Sequence, residues 1–185
     1  MRIVFIGPPG AGKGTQAERV AAMYGLAHLS TGEMMRAACE AKSPVGIKAG
    51  KYMSCGQLVP DDLIIDVIRE RLEERDCQKG YLLDGFPRTI GQAEALDHML
   101  DERHCPLSVV LELSVNEEEL YRRLAARGRS DDQPEVISQR LVGYHRQTEP
   151  LLEYYGAKGM LRTIDGSGTI DRVFSQTRAV LAPFA

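Results

Sequence analysis

The stretch GPPGAGKGTQ, residues 7–16, follows the short apolar run RIVFI at residues 2–6. The glycines of this loop permit backbone conformations that turn several amide N–H groups toward one anion, and a following helix adds the positive end of its dipole. Lys13 can then reach the terminal phosphates of a bound nucleotide. A glycine-rich turn without a ligand is the alternative. The strand before the loop and the helix after it are the context that a phosphate-binding loop requires, so the stretch predicts a nucleotide site on an α/β fold.

One position of the loop departs from its most common form. Gly14 stands where that form has a serine or threonine whose hydroxyl binds Mg²⁺, and Thr15 comes one residue later. We therefore expect no direct protein ligand to Mg²⁺, which would be held by phosphate oxygens, by water and indirectly by a carboxylate. Asp84 is the candidate because it ends an apolar run at the same predicted rim, although a merely solvated carboxylate is the alternative. Thr15 is then free to bind an inner phosphate.

Short apolar runs alternate with segments of helical spacing along the chain. The runs predicted as strands are residues 2–6, 26–29, 81–84, 108–113 and 161–164. This alternation is typical of parallel strands joined by crossover helices, so we predict one α/β domain with a layered sheet. Ligands on such sheets bind at the carboxyl ends of the strands, where the loops that follow the first three runs would meet.

Two intervals exceed what a minimal sheet needs. Residues 30–59 contain two short helical pieces, more chain than one crossover requires, and Pro60-Asp61-Asp62 then signals the start of the next helix. Residues 128–134 are a polar break between two helical segments. Both intervals are interpreted as surface elaborations or as mobile flaps over the rim.

The composition limits the class of protein. Of the 185 residues 43% are hydrophobic and 26% are charged, as in soluble globular proteins, and the formal charge of −3 gives no basic excess for nucleic acid or an anionic membrane. No apolar run approaches the roughly 18 residues that span a bilayer, and the N-terminal run is too short for a signal peptide, so we expect a cytoplasmic protein. The four cysteines lack C-x-x-C spacing, which predicts free, mostly buried thiols.

Beyond the loop, the sequence resembles the adenylate kinases over nearly its whole length. The motifs occur in family order: GPPGAGKGTQ at 7–16, STGEMMR at 30–36, GQLVPDDL at 56–63, LLDGFPRTIGQ at 82–92, RLAARGRSDD at 123–132 and QRLVGYHRQTEPLLEYY at 139–155. The resemblance implies the reversible transfer ATP + AMP = 2 ADP, in adenine nucleotide homeostasis, on a P-loop NTPase-type three-layer fold with a five-stranded parallel sheet. It also implies a core of residues 1–29, 60–125 and 133–185, an NMP-binding insertion at 30–59 and a short lid at 126–132.

The resemblance further assigns residues to two nucleotide sites. ATP is expected at Gly10, Ala11, Gly12, Lys13, Gly14, Thr15, Arg123, Arg127 and Gly166. AMP is expected at Thr31, Arg36, Gln57, Leu58, Val59, Gly85, Phe86, Pro87, Arg88, Gln92, Arg129 and Arg140. The residues expected to act on the transferred phosphoryl group are Lys13, Asp84, Arg88, Arg127, Arg129 and Arg140.

The side chains of Arg88 and Gln92 suit the recognition of a nucleoside monophosphate. Arg88 and Gln92 are four residues apart at a predicted helix start, so their side chains share one face. An arginine can grip a phosphate bidentately, and a glutamine offers both a donor and an acceptor to the edge of a base. By resemblance, Arg88 binds the AMP phosphate and Gln92 the adenine. Thr31 belongs to the adenine pocket in the family, although capping the following helix is an alternative role.

Four further arginines are expected, by resemblance, to meet at the nucleotide phosphates and the ATP base. Arg123 and Arg127 are four apart, Arg129 follows the predicted helix end, and Arg140 lies on the next helix. An exposed charged face is the default interpretation of any one of them. Their convergence suits a transition state whose charge is spread over phosphoryl oxygens. Resemblance places Arg123 near the ATP adenine, Arg127 on the ATP phosphates, and the other two between the nucleotides.

The predicted lid is no longer than an ordinary loop. Relatives with longer lids can carry a four-ligand metal site there, but this chain has no Cys or His between residues 127 and 140, so we expect no zinc. Asp131 and Asp132 are expected to orient the lid arginines through ion pairs. Because relatives with short lids are generally monomers, a monomer is expected.

Two other functions remain to be distinguished. UMP/CMP kinases share the sheet, the loop and the arginines, but usually have Ala and Asn where this chain has Thr31 and Gln92. A nucleotide-dependent switch protein would use the phosphate loop without acceptor chemistry, and it would have no need of DGFPRTIGQ at 84–92 or of the lid arginines. The sequence therefore favours an adenylate kinase.

Overall fold

The computed structural model describes residues 1–129 and 132–185. In these ranges five strands form one sheet: β1 Arg2–Ile6, β2 Ala27–Ser30, β3 Tyr81–Asp84, β4 Val109–Ser114 and β5 Leu161–Asp165. Their order across the sheet is β2-β3-β1-β4-β5, and each pair of neighbours is parallel. The predicted fold class is confirmed, and the predicted strand boundaries are correct to within one residue.

Helices cover the two faces of this sheet and form the segments between strands. The α-helices are α1 Lys13–Tyr24, α2 Thr31–Glu40, α3 Pro44–Met53, α4 Asp61–Arg71, α5 Ile90–Glu102, α6 Glu117–Arg127, α7 Pro134–Gly143, α8 Pro150–Ala157 and α9 Ile170–Leu181. Shorter 3₁₀ segments span Arg75–Lys79 and Ala182–Phe184, and a π-helix spans Tyr144–Thr148. The start of α4 at Asp61 agrees with its predicted signal.

The hydrophobic core divides into two clusters, one on each face of the sheet. Along β1, Ile3 and Phe5 pack into one cluster while Val4 and Ile6 pack into the other. A strand that is buried on both faces reads as an uninterrupted apolar run, which is why β1 is so evident in the sequence. Register then places Phe5 of β1 and Ser30 of β2 on either side of Asp84 in β3. The carboxyl ends of these strands therefore meet at one rim, as predicted.

The two helical pieces expected within residues 30–59 are α2 and α3. These helices approach each other at the level of the backbone near Gly46. A Cβ at that position would lie 2.0 Å from the carbonyl oxygen of Ala38, so only glycine fits. Ser43 caps α3 by accepting a hydrogen bond from the Gly46 N–H at 3.1 Å. The pair is thus a compact helical hairpin attached to the sheet.

The four cysteines are free, but only Cys77 is buried and Cys55 is exposed, so the expectation of mostly buried thiols was wrong. No helix in the described ranges has the length and apolar character that crossing a membrane requires. The polar break predicted at 128–134 separates α6 from α7.

Candidate active site

The phosphate loop joins β1 to α1. Gly10 and Gly12 have φ angles of 85° and 91°, in the left-handed region that favours glycine. Gly12 has no side chain to cap α1, so the N–H groups of the first helical turn stay available to an anion at the positive end of the dipole. The loop therefore has the strand, the glycine conformations and the helix start that GPPGAGKGTQ predicted.

Lys13, the first residue of α1, bends back over this loop. Its Nζ donates to the carbonyl oxygens of Gly7 at 2.6 Å and Pro8 at 2.9 Å. Burial lowers the pKa of Lys13 to about 8; Asp84 raises it in part, while Arg88 and other arginines lower it further. The low pKa is therefore mainly a consequence of burial, and the nearby arginines add to it.

Asp84 lies at the end of β3, directly below the loop. Burial raises the pKa of its carboxyl group, but His28, Lys13 and Arg88 together outweigh this and hold the pKa below its ordinary value. The carboxylate is therefore ionised at neutral pH. A Cβ on Gly14 would lie 3.5 Å from Asp84 Oδ2, so the absence of a side chain at residue 14 leaves the carboxylate facing the start of α1.

A cavity of about 550 Å³ opens at this rim, within the range typical of nucleotide-sized ligands. All of the predicted ATP residues line it: Gly10, Ala11, Gly12, Lys13, Gly14, Thr15, Arg123, Arg127 and Gly166. Asp84, Arg36, Arg88, Arg129 and Arg140 line it as well. Residues from separate parts of the chain are thus brought to one site.

Arg123 is fixed at one end of this cavity. Its guanidinium donates to the carbonyl oxygens of Gly166 at 2.9 Å and Ala11 at 3.4 Å, and its Nε donates to Glu119 at 2.6 Å. Glu119 also accepts two hydrogen bonds from Arg122, and these partners lower its pKa to about 2. Glu119 was not predicted, although its spacing of four from Arg123 on α6 is a recognisable signal.

At the lid, Asp132 organises three arginines. Its carboxylate accepts from Arg127 Nε at 2.8 Å and from the backbone N–H of Arg129 at 3.0 Å, and lies 3.5 Å from Arg140 Nη1. The side chain is almost fully buried; burial raises its pKa, but the hydrogen bond from Arg127 and the other contacts keep it low. The orienting contacts expected for Asp132 are therefore present, whereas Asp131 lies outside the described residues.

Two smaller cavities adjoin the first beneath the α2–α3 hairpin. One is lined by Thr31, Gln57, Leu58, Val59, Gly85, Arg88 and Gln92, and the other by residues that include Lys13, Arg36, Pro87 and Arg140. Phe86 is the exception among the predicted AMP residues: it is fully buried in the core and lines none of the three cavities.

The local roles of Thr31 and Arg88 differ from the simplest expectations. Ser30 is the residue before α2, and Thr31 instead donates its hydroxyl to the Gly85 carbonyl at 2.9 Å, so the capping alternative is not observed. Arg88 precedes α5, which begins at Ile90 behind the capping residue Thr89. Arg88 and Gln92 nevertheless meet, because the backbone N–H of Arg88 donates to Gln92 Oε1 at 2.7 Å.

A second contact that was not predicted holds the backbone of Arg88. Thr148 of the π-helix donates its hydroxyl to the backbone carbonyl of Arg88 at 2.9 Å. π-Helices are rare overall, but those that occur often lie at functional sites.

No group of three or more His, Cys, Asp or Glu side chains that could hold a metal ion is found within residues 1–129 and 132–185.

Comparison with known proteins agrees with this geometry. The sequence profile of the family described as adenylate kinase matches residues 5–160. The chain belongs to the adenylate kinase family. An adenylate kinase of Nitrobacter winogradskyi is 51% identical over 191 residues, covering 98% of this chain and 93% of the relative. Those of Methylobacterium radiotolerans and Methanosarcina barkeri are 49% and 42% identical, covering 99% and 100% of this chain and 96% and 100% of the relatives.

Membership makes the protein a phosphotransferase that acts between ATP and AMP, as the sequence motifs predicted.

Proposed function

We propose that ATP binds along the phosphate loop, that AMP binds in the two cavities beneath the α2–α3 hairpin, and that the enzyme catalyses ATP + AMP = 2 ADP. One observation carries this arrangement: Lys13, Arg36, Arg88 and Arg140 line both the large cavity and a smaller one. Donor and acceptor phosphates in these cavities would face the same cations. The reacting atoms would then meet where the positive charge is concentrated.

On the donor side, the loop backbone and Lys13 hold the phosphates of ATP. Binding of phosphate draws the ammonium of Lys13 away from the carbonyl oxygens of Gly7 and Pro8, which are poorer partners than an anion. Arg123, held by Glu119 and by the Gly166 carbonyl, covers the adenine end of the site. The base would then pack against this guanidinium and the neighbouring backbone of Gly166.

Transfer itself requires positioning and charge stabilisation more than covalent chemistry. Arg88 holds the acceptor phosphate, and its Nε bond to the Gly85 carbonyl fixes the guanidinium in place. Arg127, Arg129 and Arg140 neutralise the charge that spreads over the moving phosphoryl group. Asp132 keeps two of these guanidinium groups and the backbone of Arg129 pre-oriented, which lowers the reorganisation needed at the transition state.

The residues present fit the Mg²⁺ that ATP brings. Asp84 is ionised, is partly enclosed and faces the start of α1 beside Gly14, as required of a carboxylate that acts through water. Asp84 would hold the hydrated ion with the phosphate oxygens, and the ion would supply charge neutralisation there. Thr15, which lines the large cavity, would bind an inner phosphate.

On the acceptor side, Thr31 and Gln92 recognise the adenine, and the backbone of residues 57–59 lines the pocket. The insertion 30–59 and the short lid 126–132 close over the two nucleotides, while the remaining chain acts as the core. We further propose that the enzyme is a cytoplasmic monomer serving adenine nucleotide homeostasis and that it uses no zinc.

The test is to measure ADP formation from ATP with AMP, UMP, CMP or GMP as acceptor. We expect AMP to be used far better than the other three. Equal use of UMP and AMP would overturn the adenine assignment and favour a UMP/CMP kinase. Retention of ATP binding without transfer to any monophosphate would favour a switch protein.

A further inference from the structure

Asp61, the first residue of α4, contacts the proposed adenine pocket only through another side chain. It lines none of the three cavities. One carboxylate oxygen accepts a hydrogen bond from Gln92 Nε2 at 2.7 Å, and the other accepts from the Thr89 hydroxyl at 2.7 Å. Thr89 in turn accepts from the Gln92 backbone N–H at 3.1 Å. Asp61 thus belongs to a closed network built around Gln92.

The chemistry of this network permits one orientation of the Gln92 carboxamide. The carboxylate of Asp61 accepts from Gln92 Nε2 and from the Thr89 hydroxyl, so it must face the amide nitrogen. The backbone N–H of Arg88 can only donate, so it must face the amide oxygen, which it contacts at 2.7 Å. A reversed amide would oppose two donors at one end and two acceptors at the other. Because Gln92 is 2% exposed, water could not relieve either conflict.

The fixed amide retains one lone pair on Oε1 and one hydrogen on Nε2. A 6-aminopurine presents an amine donor beside a ring nitrogen acceptor. The amine can donate to Gln92 Oε1 while the ring nitrogen accepts from Gln92 Nε2. A 6-oxopurine of nearly the same shape presents a carbonyl acceptor beside a ring N–H donor, the reverse order. The orientation of the carboxamide therefore decides which of the two bases finds its partners.

We propose that Asp61 is a positioning residue that selects 6-aminopurine over 6-oxopurine monophosphates by holding the carboxamide of Gln92 in one orientation. This inference rests on the proposed placement of the AMP base at Gln92. It assigns to Asp61 no contact with either substrate. Loss of Asp61 would leave the backbone N–H of Arg88 as the remaining group that orients the amide, so the pocket would lose much of its preference rather than its shape.

The test compares AMP with inosine monophosphate (IMP), a 6-oxopurine probe, as acceptors for Asp61→Ala, Asp61→Asn and wild type. Asp62→Ala is the matched control, because Asp62 is exposed in the same first turn of α4 and its loss has the same effect on the helix dipole. The measurements are kcat/KM for each acceptor, KM for ATP, and the melting temperature.

For Asp61→Ala we expect the AMP-to-IMP ratio of kcat/KM to fall about ten-fold or more, mainly through a higher KM for AMP. KM for ATP and kcat at saturating AMP should stay within about three-fold of wild type. Asp61→Asn should keep most of the preference, because its amide oxygen can still accept from Gln92 while the Thr89 hydroxyl turns to accept from the new NH₂ group. Asp62→Ala should match wild type.

An unchanged AMP-to-IMP ratio in Asp61→Ala would overturn the inference. So would an Asp61→Asn variant as unselective as Asp61→Ala, because charge rather than orientation would then be responsible. If Asp61→Ala does not fold, Asp61→Ser takes its place, since the serine hydroxyl tolerates a helix start but is too short to reach Gln92. A wild-type enzyme that does not phosphorylate AMP would instead contradict the proposed function.

Discussion

Replacing Lys13 by methionine should have opposite effects on catalysis and on stability. Turnover should fall by about 10³-fold or more, because Lys13 is the one side chain of residues 7–16 with a positive charge for the terminal phosphates. The fold should remain intact, since methionine keeps the apolar stem of the side chain. The nucleotide-free variant should even melt at a higher temperature, because the substitution removes a cation that burial destabilises, and that Arg88, Arg127 and Arg140 destabilise further.

The size of the stability effect follows from the lowered pKa of Lys13. A shift from 10.5 to about 8 sets an upper limit near 3 kcal/mol on the cost of keeping the ammonium charged in the folded state. The side chain keeps some contact with solvent, and screening reduces this limit to a cost on the order of 1 kcal/mol. For a chain of this size that corresponds to a rise of about 2–4 °C in the melting temperature.

The sign of the pH dependence is also determined. Because the pKa is lower in the folded than in the unfolded state, the cost is fully present below pH 8 and disappears as the pH approaches 10.5. The difference in melting temperature between Lys13→Met and wild type should therefore be largest at pH 7 and should shrink toward pH 10.

Scanning calorimetry across this pH range, with a coupled assay of ADP formation, measures both effects. Lys79→Met is the control, because Lys79 is exposed and remote from the cavities, so neither activity nor the pH dependence should change. A lower melting temperature for Lys13→Met at pH 7, or a difference that does not vary with pH, would refute the electrostatic reasoning. Turnover within a few-fold of wild type would refute the assignment of Lys13.

Three further predictions concern the acceptor site and the metal. Arg88→Ala should lose about 10²-fold or more in turnover with AMP without a fall in melting temperature. A lower melting temperature with normal kinetics would mark Arg88 as structural. Transfer should require Mg²⁺ strictly. Asp84→Asn should strongly reduce the rate of transfer while weakening ATP binding only modestly. Full activity of this variant would show that another group positions the ion. Combining Thr31→Ala with Gln92→Asn should reduce the preference for AMP over UMP, CMP and GMP, mainly by lowering kcat/KM for AMP. The reason is that each unpaired buried polar group costs about 1–3 kcal/mol. An unaltered preference would mean that other residues select the base.

Much of the fold could be predicted because central strands such as β1 and β3 are buried on both faces. Runs such as residues 2–6 and 81–84 have no polar interruption, and glycine and lysine stand at fixed offsets after the first of them. The phosphate loop is a local structure, so ten consecutive residues contain the whole signal. Its geometry could therefore be predicted without knowledge of the rest of the chain.

The support of the site depends on contacts between distant residues, and these were not predicted. Asp61 and Gln92 are 31 residues apart, and Thr148 reaches the carbonyl of Arg88 across 60 residues. Each of these side chains has an ordinary alternative role in a helix or a loop. Helical spacing was also misleading for Arg88, which meets Gln92 through its backbone N–H before the helix begins.

The close approach of α2 and α3 at Gly46 has a mechanical consequence. Any side chain at this position would collide with the backbone of Ala38 and not with a movable rotamer, so the two helices cannot slide past each other without losing their packing. The hairpin is therefore a stiff lever, and motion that brings it toward the sheet must occur where it joins the core, near residues 30 and 54–60. Because only the few residues of these two joints change conformation, the change in conformational entropy on each movement of the hairpin is small.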